Sequence, residues 1–391
     1  MAGRPALSRL GMHIETKVLD EVVKAFIPPP LPPVPQVRME RLYSLLEEAN
    51  RAIGRLDGAA SILPDTPYFL YMYIRKEALL SSQIEGTQSS LSDLLMFESE
   101  LAPGVPLEDV QEVINYVAAM TLGLERLREL PISQRLIREI HEVLLSKGRG
   151  SSKQPGEFRR SQNWIGGSRP ANATFVPPPP GLVPDLMSDL EKFIHADTPD
   201  IPGLIKAGLV HVQFETIHPF LDGNGRLGRL LITFLLCANG VMAEPLLYLS
   251  LYFKTHRQRY YDLLQGVRER GDWEAWLEFF LTGIAEISLQ ASDTAREILR
   301  LFETDRRRIE GLGRPAASAL RVHHLLQTRP FVAIPDAAAA LGLSRPTIDK
   351  SIKHLIELGI LRELTGKKRR RLFFYSAYMD VLNQGAEPLP R

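Results

Sequence analysis

Along most of this 391-residue chain, apolar residues recur at steps of three and four, the spacing that gathers them on one face of an α-helix. Strand-like segments are few and short, so the sequence predicts a mainly α-helical protein. The helical spacing occurs at residues 36–55, 68–80, 107–127, 133–145, 184–195, 202–214, 227–239, 257–269 and 273–300.

Composition narrows the class of protein. The hydrophobic fraction of 45% and the charged fraction of 24% are those of a globular protein with a buried core. The net charge is +1, so any contact with nucleic acid depends on a local basic patch. Cys237 is the only cysteine, which excludes an intrachain disulfide and fits a reducing compartment. Because no apolar run could span a bilayer and residues 1–15 lack a signal-peptide core, we expect a cytoplasmic protein with no membrane contact.

Proline and glycine divide the chain. Proline-rich stretches at residues 27–35 and 173–183 predict extended segments. The sequence GLGRP at residues 311–315 marks a domain boundary, and the chain after this boundary has the order of a winged helix-turn-helix. That order comprises helices at residues 316–327 and 335–341, a helix that Ser344 caps and that ends at residue 358, and a hairpin of ILREL and LFFYSA around TGKKRRR.

The segment HPFLDGNGRLGR, residues 218–229, combines groups that suit phosphate chemistry. Gly223 and Gly225 allow positive φ angles, so consecutive N–H groups can turn toward one point. A helix begins directly afterwards, and its N-terminal N–H groups and dipole face the same point. The sequence therefore predicts a phosphate-binding loop. It lacks the lysine of a Walker loop, and no strand precedes it as in a Rossmann turn.

Charged side chains complete this loop. Arg226 and Arg229 lie three residues apart on the new helix and can hold phosphate oxygens with forked donors. Asp222 is the only carboxylate in the loop, and one carboxylate with phosphate oxygens and water is the usual ligand set of nucleotide-bound Mg²⁺. His218, as an imidazole near its unperturbed pKa, can accept a proton from a hydroxyl at neutral pH.

At every fixed position this segment matches HPFx(D/E)GNGRxxR, the motif of the Fic family. The resemblance implies a Fic helical core with a β-hairpin flap, and transfer of AMP from ATP to Ser, Thr or Tyr hydroxyls of proteins, itself included. It makes His218 the base and Asp222 the Mg²⁺ ligand, with Asn224 and the loop amides on the inner phosphates and Arg226 and Arg229 on the outer ones. The implied ATP contacts of the loop are His218, Gly223, Asn224, Gly225, Arg226, Leu227, Gly228 and Arg229.

Two flanking segments extend the resemblance. Residues 155–180, PGEFRRSQNWIGGSRPANATFVPPPP, resemble the flap, which in relatives aligns the target segment by main-chain pairing and borders the nucleotide. Residues 257–273 resemble the segment that closes the adenine side, with Tyr260 as the contact. Some relatives carry Asn where Arg268 stands, so no contact is assigned there. The flap residues expected at the nucleotide are Ile165, Gly166, Gly167 and Ser168.

The sequence SSQIEG at residues 81–86 fits (S/T)xxxE(G/N), the pattern of relatives inhibited by an N-terminal helix. The resemblance implies that the Glu85 carboxylate enters the ATP site, pairs with Arg229 in place of a phosphate and displaces the γ-phosphate of ATP. We therefore expect low basal activity that Glu85→Gly releases. In some relatives this glutamate serves the removal of AMP, and the pattern leaves that open.

These features predict three parts: an N-terminal helical region with the proline-rich arm and the inhibitory helix (residues 1–105), the catalytic core (106–310) and the winged helix-turn-helix (311–391). Several relatives are dimers, so a second copy of the chain is one expected partner. The transferred group stays open within the family, since phosphocholine and UMP transfer use similar loops. Kinase-like relatives carry Lys where Gly225 stands, which argues against kinase chemistry.

The winged helix leaves a second function open. It either binds DNA or docks to protein, and in the first case the whole chain is a transcriptional regulator whose Fic core senses a nucleotide. The predicted DNA contacts are cations of the recognition helix and of the hairpin tip: Arg345, Lys350, Lys353, Lys367, Lys368, Arg369, Arg370 and Arg371.

Overall fold

Helices make up most of the fold, as the apolar spacing predicts. The structure is a computed structural model, and it describes residues 8–18, 21–61, 66–98, 107–364 and 371–389. Before the winged module the helices are α1 (Tyr43–Ser61), α2 (Thr66–Ile84), α3 (Leu91–Glu98), α4 (Leu107–Arg126), α5 (Gln134–Leu144), α6 (Val183–His195), α7 (Gly203–Ile217), α8 (Asn224–Ala238), α9 (Ser250–Thr255), α10 (Arg257–Arg270) and α11 (Trp273–Glu310). Three short 3-10 turns occur at Met39–Arg41, Pro170–Asn172 and Pro180–Leu182.

The boundaries depart from the sequence prediction in a few places. α1 begins at Tyr43 rather than at residue 36, and a 3-10 turn at Met39–Arg41 precedes it. α8 begins at Asn224, three residues before the predicted start. No helix was predicted at α3 or α9, whose lengths of eight and six residues are too short for a clear periodicity. The predicted boundary at residues 105 and 106 lies outside the described residues.

α7 and α8 form the centre of the core and pack against each other. Every residue of α7 from 204 to 217 is buried, so this helix has no solvent face. α11 spans 38 residues, packs along α1 and continues toward the C-terminal module. The segment between α7 and α8 therefore connects two buried helices. No helix among the described residues has the length and apolarity needed to cross a membrane.

An N-terminal hairpin is present that was not predicted from the sequence. Strands β1 (Met12–Val18) and β2 (Glu21–Ile27) pair antiparallel, with Met12 opposite Ile27. The backbone N–H of Phe26 donates to the carbonyl of Val176 at 2.9 Å, so β2 also touches the proline-rich segment before α6. Residues 28–35, most of the first proline-rich stretch, follow β2 without helix or strand.

The C-terminal module has winged-helix topology. Its elements are α12 (Ala316–Thr328), β3 (Phe331–Ala333), α13 (Ile334–Leu341), α14 (Arg345–Glu357), β4 (Leu361–Glu363) and β5 (Leu372–Tyr375), and α15 (Ser376–Asn383) follows. The antiparallel sheet has the order β3-β5-β4, and β3 was not predicted. The Ser344 hydroxyl accepts from the N–H of Thr347, so it caps α14 as predicted. The hairpin tip, with Lys367, Lys368, Arg369 and Arg370, lies outside the described residues.

Candidate active site

The loop at residues 218–223 joins the ends of two buried helices. α7 ends at Ile217, and His218 follows with a left-handed backbone at φ 50°, an uncommon conformation for a residue with a side chain. Gly223, at φ 77°, precedes the first residue of α8. The N-terminal end of α8 therefore opens beside His218. Such a helix end, with free N–H groups, favours an anion.

Two side chains brace this loop from inside. The Asn224 amide accepts from the N–H of Phe220 and donates to its carbonyl, both at 2.9 Å. The His141 ring stacks on Phe220 with 3.7 Å between centroids. His141 Nδ1 accepts from the N–H of Gly156, so Nε2 carries the proton and donates to the carbonyl of Asp222 at 3.0 Å. The Asn224 side chain thus holds the loop together.

Arg159 fixes the end of α7. It is 2% exposed, and its guanidinium donates to the carbonyls of His218 at 2.8 Å and Ile217 at 3.3 Å. Its acceptors are carbonyl groups that the helix end leaves without intrahelical partners. Burial without a carboxylate lowers the pKa of Arg159 to about 10. This arginine holds His218 in its left-handed conformation, and it was not among the predicted site residues.

His218 is neutral in this site. Burial, together with the charges of Arg159 and Arg268, lowers its pKa to about 3. The expectation of an unperturbed imidazole was therefore wrong for this form of the protein. The Nδ1 atom is buried and has no hydrogen-bond partner among the described residues. A neutral imidazole has the protonation state that a proton acceptor needs.

The Glu85 carboxylate pairs with Arg229 across the mouth of the loop. Glu85 follows the last residue of α2, and its Oε1 accepts from Arg229 Nη2 at 2.7 Å. The Arg229 side chain is 1% exposed and also donates to the hydroxyl and the carbonyl of Ser81. Burial opposes ionisation of Glu85, but Arg229, with Arg226 and Arg257, outweighs it and lowers the pKa below its usual value. Glu85 is therefore a charged anion placed at the predicted phosphate site.

Gly225 makes room for this carboxylate. A Cβ atom at Gly225 would lie 2.4 Å from Glu85 Oε1 and 3.2 Å from Arg229 Nη1. Arg229 Nη1 is buried and has no hydrogen-bond partner among the described residues. A donor therefore stays available beside the bare Cα, at the first turn of α8. A second anionic oxygen would fit the unused donor.

Arg226 faces a second carboxylate, which was not predicted. Glu112 on α4 is 2% exposed and lies 3.4 Å from Arg226 Nη1 and 2.5 Å from Arg149 Nε. Asp222 Oδ1 lies 3.6 Å from Arg226 Nη2. Because Glu112 lies 114 residues before Arg226, sequence spacing gives no sign of this contact. The arginine that the motif assigns to phosphate is thus already oriented by carboxylates.

Ten residues line one polar cleft of about 280 Å³, and the buried Arg229 is not among them. Five of them were predicted ATP contacts of the loop, and Glu85 and Asp222 were predicted for inhibition and metal binding. Glu112, Arg149 and Leu221 are additions. The lining residues are Glu85, Glu112, Arg149, His218, Leu221, Asp222, Gly223, Asn224, Gly225 and Arg226.

Several predicted contacts lie elsewhere. Leu227 is buried in the core, and Gly228 packs against Glu215 of α7, where a Cβ atom would come within 2.5 Å of Oε1. Tyr260 is 1% exposed, and its hydroxyl bonds to His211 Nε2 at 2.8 Å, so its ring does not reach the cleft. The neighbouring Tyr261 is the exposed one.

The flap borders the site without lining the cleft. The expected hairpin contains one antiparallel bridge, in which Ile165 and Phe175 exchange both backbone hydrogen bonds. Gly166 and Gly167 follow at positive φ, and the part at 166–169 is exposed. Arg268 lies 4.0 Å above the Phe175 ring and donates to the carbonyl of Glu215, joining the flap to α7. Ile165, Gly166, Gly167 and Ser168 are thus close to the site but do not line the cleft.

The basic residues of the winged module that the structure describes lie outside this cleft. Arg345, Lys350 and Lys353 of α14 are exposed, and Lys353 pairs with Asp349 at 2.7 Å. Arg371, the last of the five predicted hairpin cations, pairs with Glu363 at 2.6 Å. Acidic partners therefore neutralise part of the positive charge expected here.

Comparisons with known proteins agree with this geometry. Two family models match the chain: Fic/DOC family N-terminal over residues 43–125, and Fic/DOC family over residues 131–236. The Protein adenylyltransferase Fic of Culex quinquefasciatus is 31% identical over 249 residues, which are 62% of this chain and 45% of that protein. The protein of the same name from Aedes aegypti is 31% identical over 316 residues, 73% of this chain and 57% of that one.

The chain thus spans about half the length of these curated relatives. Among solved structures, a Fic family protein from Desulfovibrio desulfuricans G20 superimposes with a TM-score of 0.57 at 21% identity. The match covers 88% of this chain and 98% of that one, so the two share a fold. By its sequence and its fold, this chain belongs to the Fic/DOC family, with the N-terminal domain of that family at residues 43–125 and the Fic domain at residues 131–236.

Proposed function

We propose that this protein transfers AMP from ATP to Ser, Thr or Tyr hydroxyls of proteins, itself included, and that Glu85 keeps this activity low. One observation carries the proposal. A charged carboxylate lies over the bare Cα of Gly225 and 2.7 Å from Arg229, beside a neutral histidine. A site that holds an oxygen anion next to a proton acceptor suits phosphoryl or nucleotidyl transfer. The names of the relatives favour the adenylyl group.

In the proposed reaction the hydroxyl oxygen of the target forms a bond to the α-phosphorus of ATP. The bond from that phosphorus to the oxygen bridging to the β-phosphate breaks, and diphosphate leaves. His218, which lines the cleft, takes the hydroxyl proton on its imidazole ring. The N–H groups at the start of α8, with Arg226 and Arg229, stabilise the charge on the phosphate oxygens. Positioning and electrostatics therefore supply most of the rate.

The negative charge of ATP would also change the pKa of His218, the proposed base. With its pKa at about 3, His218 accepts a proton only weakly in the form described. Negative phosphate groups beside Arg159 and Arg268 would offset the positive charges that disfavour the imidazolium. The pKa of His218 would rise toward neutrality, where a base transfers protons most effectively.

Asp222 fits the role of a Mg²⁺ ligand. Its carboxylate is 37% exposed, lines the cleft, accepts from the N–H of Gly223 at 2.6 Å and lies 3.6 Å from Arg226. Among the described residues no group of three His, Cys, Asp or Glu side chains could hold a metal alone. A single carboxylate with phosphate oxygens and water suits nucleotide-bound Mg²⁺, which would neutralise phosphate charge during transfer.

A labelling experiment tests the function and the role of Glu85. The wild type, Glu85→Gly, and Glu85→Gly combined with His218→Ala are incubated with ATP labelled at the α- or the γ-phosphate. We expect protein-bound label from the α-phosphate alone, strongest in Glu85→Gly and absent with His218→Ala, while ATP binding persists. Glu129→Gly, at an exposed turn, and His324→Ala, on the surface of α12, are the matched controls.

The outcomes separate the alternatives. Protein label from the γ-phosphate alone would mean kinase chemistry. The absence of label from both forms of ATP, even in Glu85→Gly, would overturn AMP transfer and favour a nucleotide-sensing regulator. Equal label in the wild type and in Glu85→Gly would overturn inhibition by Glu85. Loss of ATP binding together with label in His218→Ala would give His218 a structural role.

Binding of DNA is a second candidate function, favoured by the winged-helix topology and by exposed Arg345 and Lys350 on α14. Neutralisation of Lys353 by Asp349 weakens it. A gel shift of the whole protein at increasing salt tests it. Binding should fall steeply with salt and with Lys350→Ala. Salt-independent binding or none would favour protein docking.

A further inference from the structure

The end of the chain is fastened to the inhibitory segment (residues 81–86). Gln83 lies two residues before Glu85 and is completely buried. Its Nε2 donates to the carbonyl of Ala386 at 3.0 Å, across 303 residues of sequence, and to the carbonyl of Ser89 at 2.9 Å. Ala386 is itself 2% exposed. The segment that carries Glu85 is therefore tied to residues that follow the last helix.

Two cations near α9 and α10 strengthen this connection. Lys254, 7% exposed, donates from Nζ to the carbonyls of Gly385, at 3.2 Å, and Glu387. Three residues later, Arg257 Nε donates to the carbonyl of Ile84 at 3.0 Å. One short stretch of chain thus binds the C-terminal tail (residues 384–387) and the residue next to Glu85. A change in the contact of Lys254 with the tail can therefore affect the contact of Arg257 with Ile84, three residues along the chain.

The C-terminal tail is also continuous with the winged module. β5 leads directly into α15, and the tail begins at the residue after α15. α15 packs on α11, where the rings of Tyr378 and Phe302 lie 4.9 Å apart edge to face. Within the described residues 371–389, no linker separates the module from the tail. A displacement of the module would therefore pull on the contacts at Gln83.

We propose that the C-terminal tail is a latch that keeps Glu85 on Arg229, so that its release raises AMP transfer. This inference rests on the proposed function and concerns its regulation. Gln83 and Ile84 immediately precede Glu85, and their fastening limits how far the carboxylate can withdraw from the phosphate site. Losing one or two hydrogen bonds at the latch should raise the rate about three- to tenfold, by letting ATP phosphates displace Glu85 more often.

Lys254→Met tests the latch, because it removes the hydrogen bonds to Gly385 and Glu387 without altering the inhibitory segment. The matched control is Lys206→Met, since Lys206 is also buried and donates to a backbone carbonyl, that of Ala196, at 2.8 Å. Each change is made in the wild type and in Glu85→Gly, and incorporation of AMP from α-labelled ATP is measured. A second variant ends the chain after Asn383.

We expect Lys254→Met and the truncation to raise incorporation about three- to tenfold when Glu85 is present, and to add nothing in Glu85→Gly. Lys206→Met should change neither rate. An equal rise in both backgrounds, or no rise while Glu85→Gly is active, would overturn the latch. If Glu85→Gly itself transfers no AMP, the proposed function fails separately.

Hydrogen exchange tests the latch without any activity. Amides at residues 81–86 should exchange faster in Lys254→Met and in the truncated chain than in Lys206→Met. Unchanged exchange in folded variants would overturn the proposal. Circular dichroism identifies a variant that has lost its fold, and the remaining variant then decides the result.

Discussion

At the scale of single residues, inhibitor and substrate compete for one position. Glu85 occupies the space over Gly225 that a phosphate oxygen would need, and both require the same Arg229. Arg229 is buried so deeply that it needs an anionic partner, whereas Glu85 is 37% exposed and can leave toward solvent. When ATP displaces Glu85, the buried Arg229 therefore exchanges one anionic partner for another.

Removing Glu85 should therefore weaken the fold while it raises activity. Among the described residues, Glu85→Gly leaves Arg229 with Ser81 as its hydrogen-bond partner. We expect the free energy of unfolding to fall by about 1–3 kcal/mol, below the full cost for a buried pair because Glu85 is partly exposed. Urea unfolding measures this, and ATP should stabilise the variant more than the wild type. Equal stabilisation of both would contradict competition for Arg229.

The activity of Glu85→Gly should not fall below pH 6.5 in the way that an unperturbed histidine would cause. A pKa of about 3 keeps His218 neutral down to pH 5, and loss of the Glu85 charge lowers this pKa further. We expect kcat/KM of Glu85→Gly to change less than about twofold from pH 7.5 to 6, with saturating Mg²⁺. An imidazole near 6.5 would lose roughly fourfold. A limb near pH 6.5 would contradict the low pKa.

The sequence motif identifies residues of the loop itself but not the residues that surround the loop. His218 and Gly225 could be singled out because the motif fixes their spacing along the chain. Arg159 and Glu112 could not, because only the fold brings them to the loop, from 59 and 114 residues away. The low pKa of His218 escaped prediction for the same reason, since burial and charges from other elements cause it.

At the scale of elements, the N-terminal hairpin supports the flap. Val18, Val23 and Ala25 form a small hydrophobic cluster with Val176 of the flap, apart from the main core. A two-stranded hairpin is marginal on its own, so hairpin and flap stabilise each other. The hairpin was not predicted because its stability comes from contacts with residues about 150 positions later in the chain. In addition, the sequence between its two strands contains no glycine.

Loss of the contact at Glu21 should loosen the flap. Glu21 accepts from Arg169 at 3.2 Å and from the N–H of Ala171 at 2.9 Å. We expect Glu21→Ala to be cut by chymotrypsin after Trp164, which packs on the same hairpin, about two- to fivefold faster, since one or two exposed bonds contribute up to about 1 kcal/mol. Glu15→Ala, at an exposed position of the same hairpin, is the control. Equal cleavage of both variants would show that the flap does not depend on Glu21.

At the scale of the whole molecule, one hydrophobic core runs from α1 to the winged module. α11 forms the connection, and the Tyr375 hydroxyl donates to Asp305 of that helix at 2.7 Å with both groups buried. The sequence predicts the order of the parts well, because caps and turns punctuate it. Sequence spacing does not predict that the core and the module pack together, because contacts such as that of Tyr375 with Asp305 join residues 70 positions apart.

We therefore expect core and module to unfold together. The three tryptophans, at positions 164, 273 and 276, lie outside the module, whereas far-ultraviolet circular dichroism reports all helices. The two signals should change at the same urea concentration. Tyr375→Phe should lower the free energy of unfolding by about 1–3 kcal/mol, because Asp305 loses a buried donor. Loss of dichroism before fluorescence in the wild type would contradict a shared core.

The hydrogen bond between Gln83 and Ala386 has a thermodynamic consequence. If a ligand of the winged module draws the tail away and thereby increases the affinity for ATP by some factor, ATP must increase the affinity for that ligand by the same factor. The concentration of ATP would then determine how firmly the module holds its partner. The nucleotide site and the winged module would thus act as reciprocal effectors through the segment around Glu85.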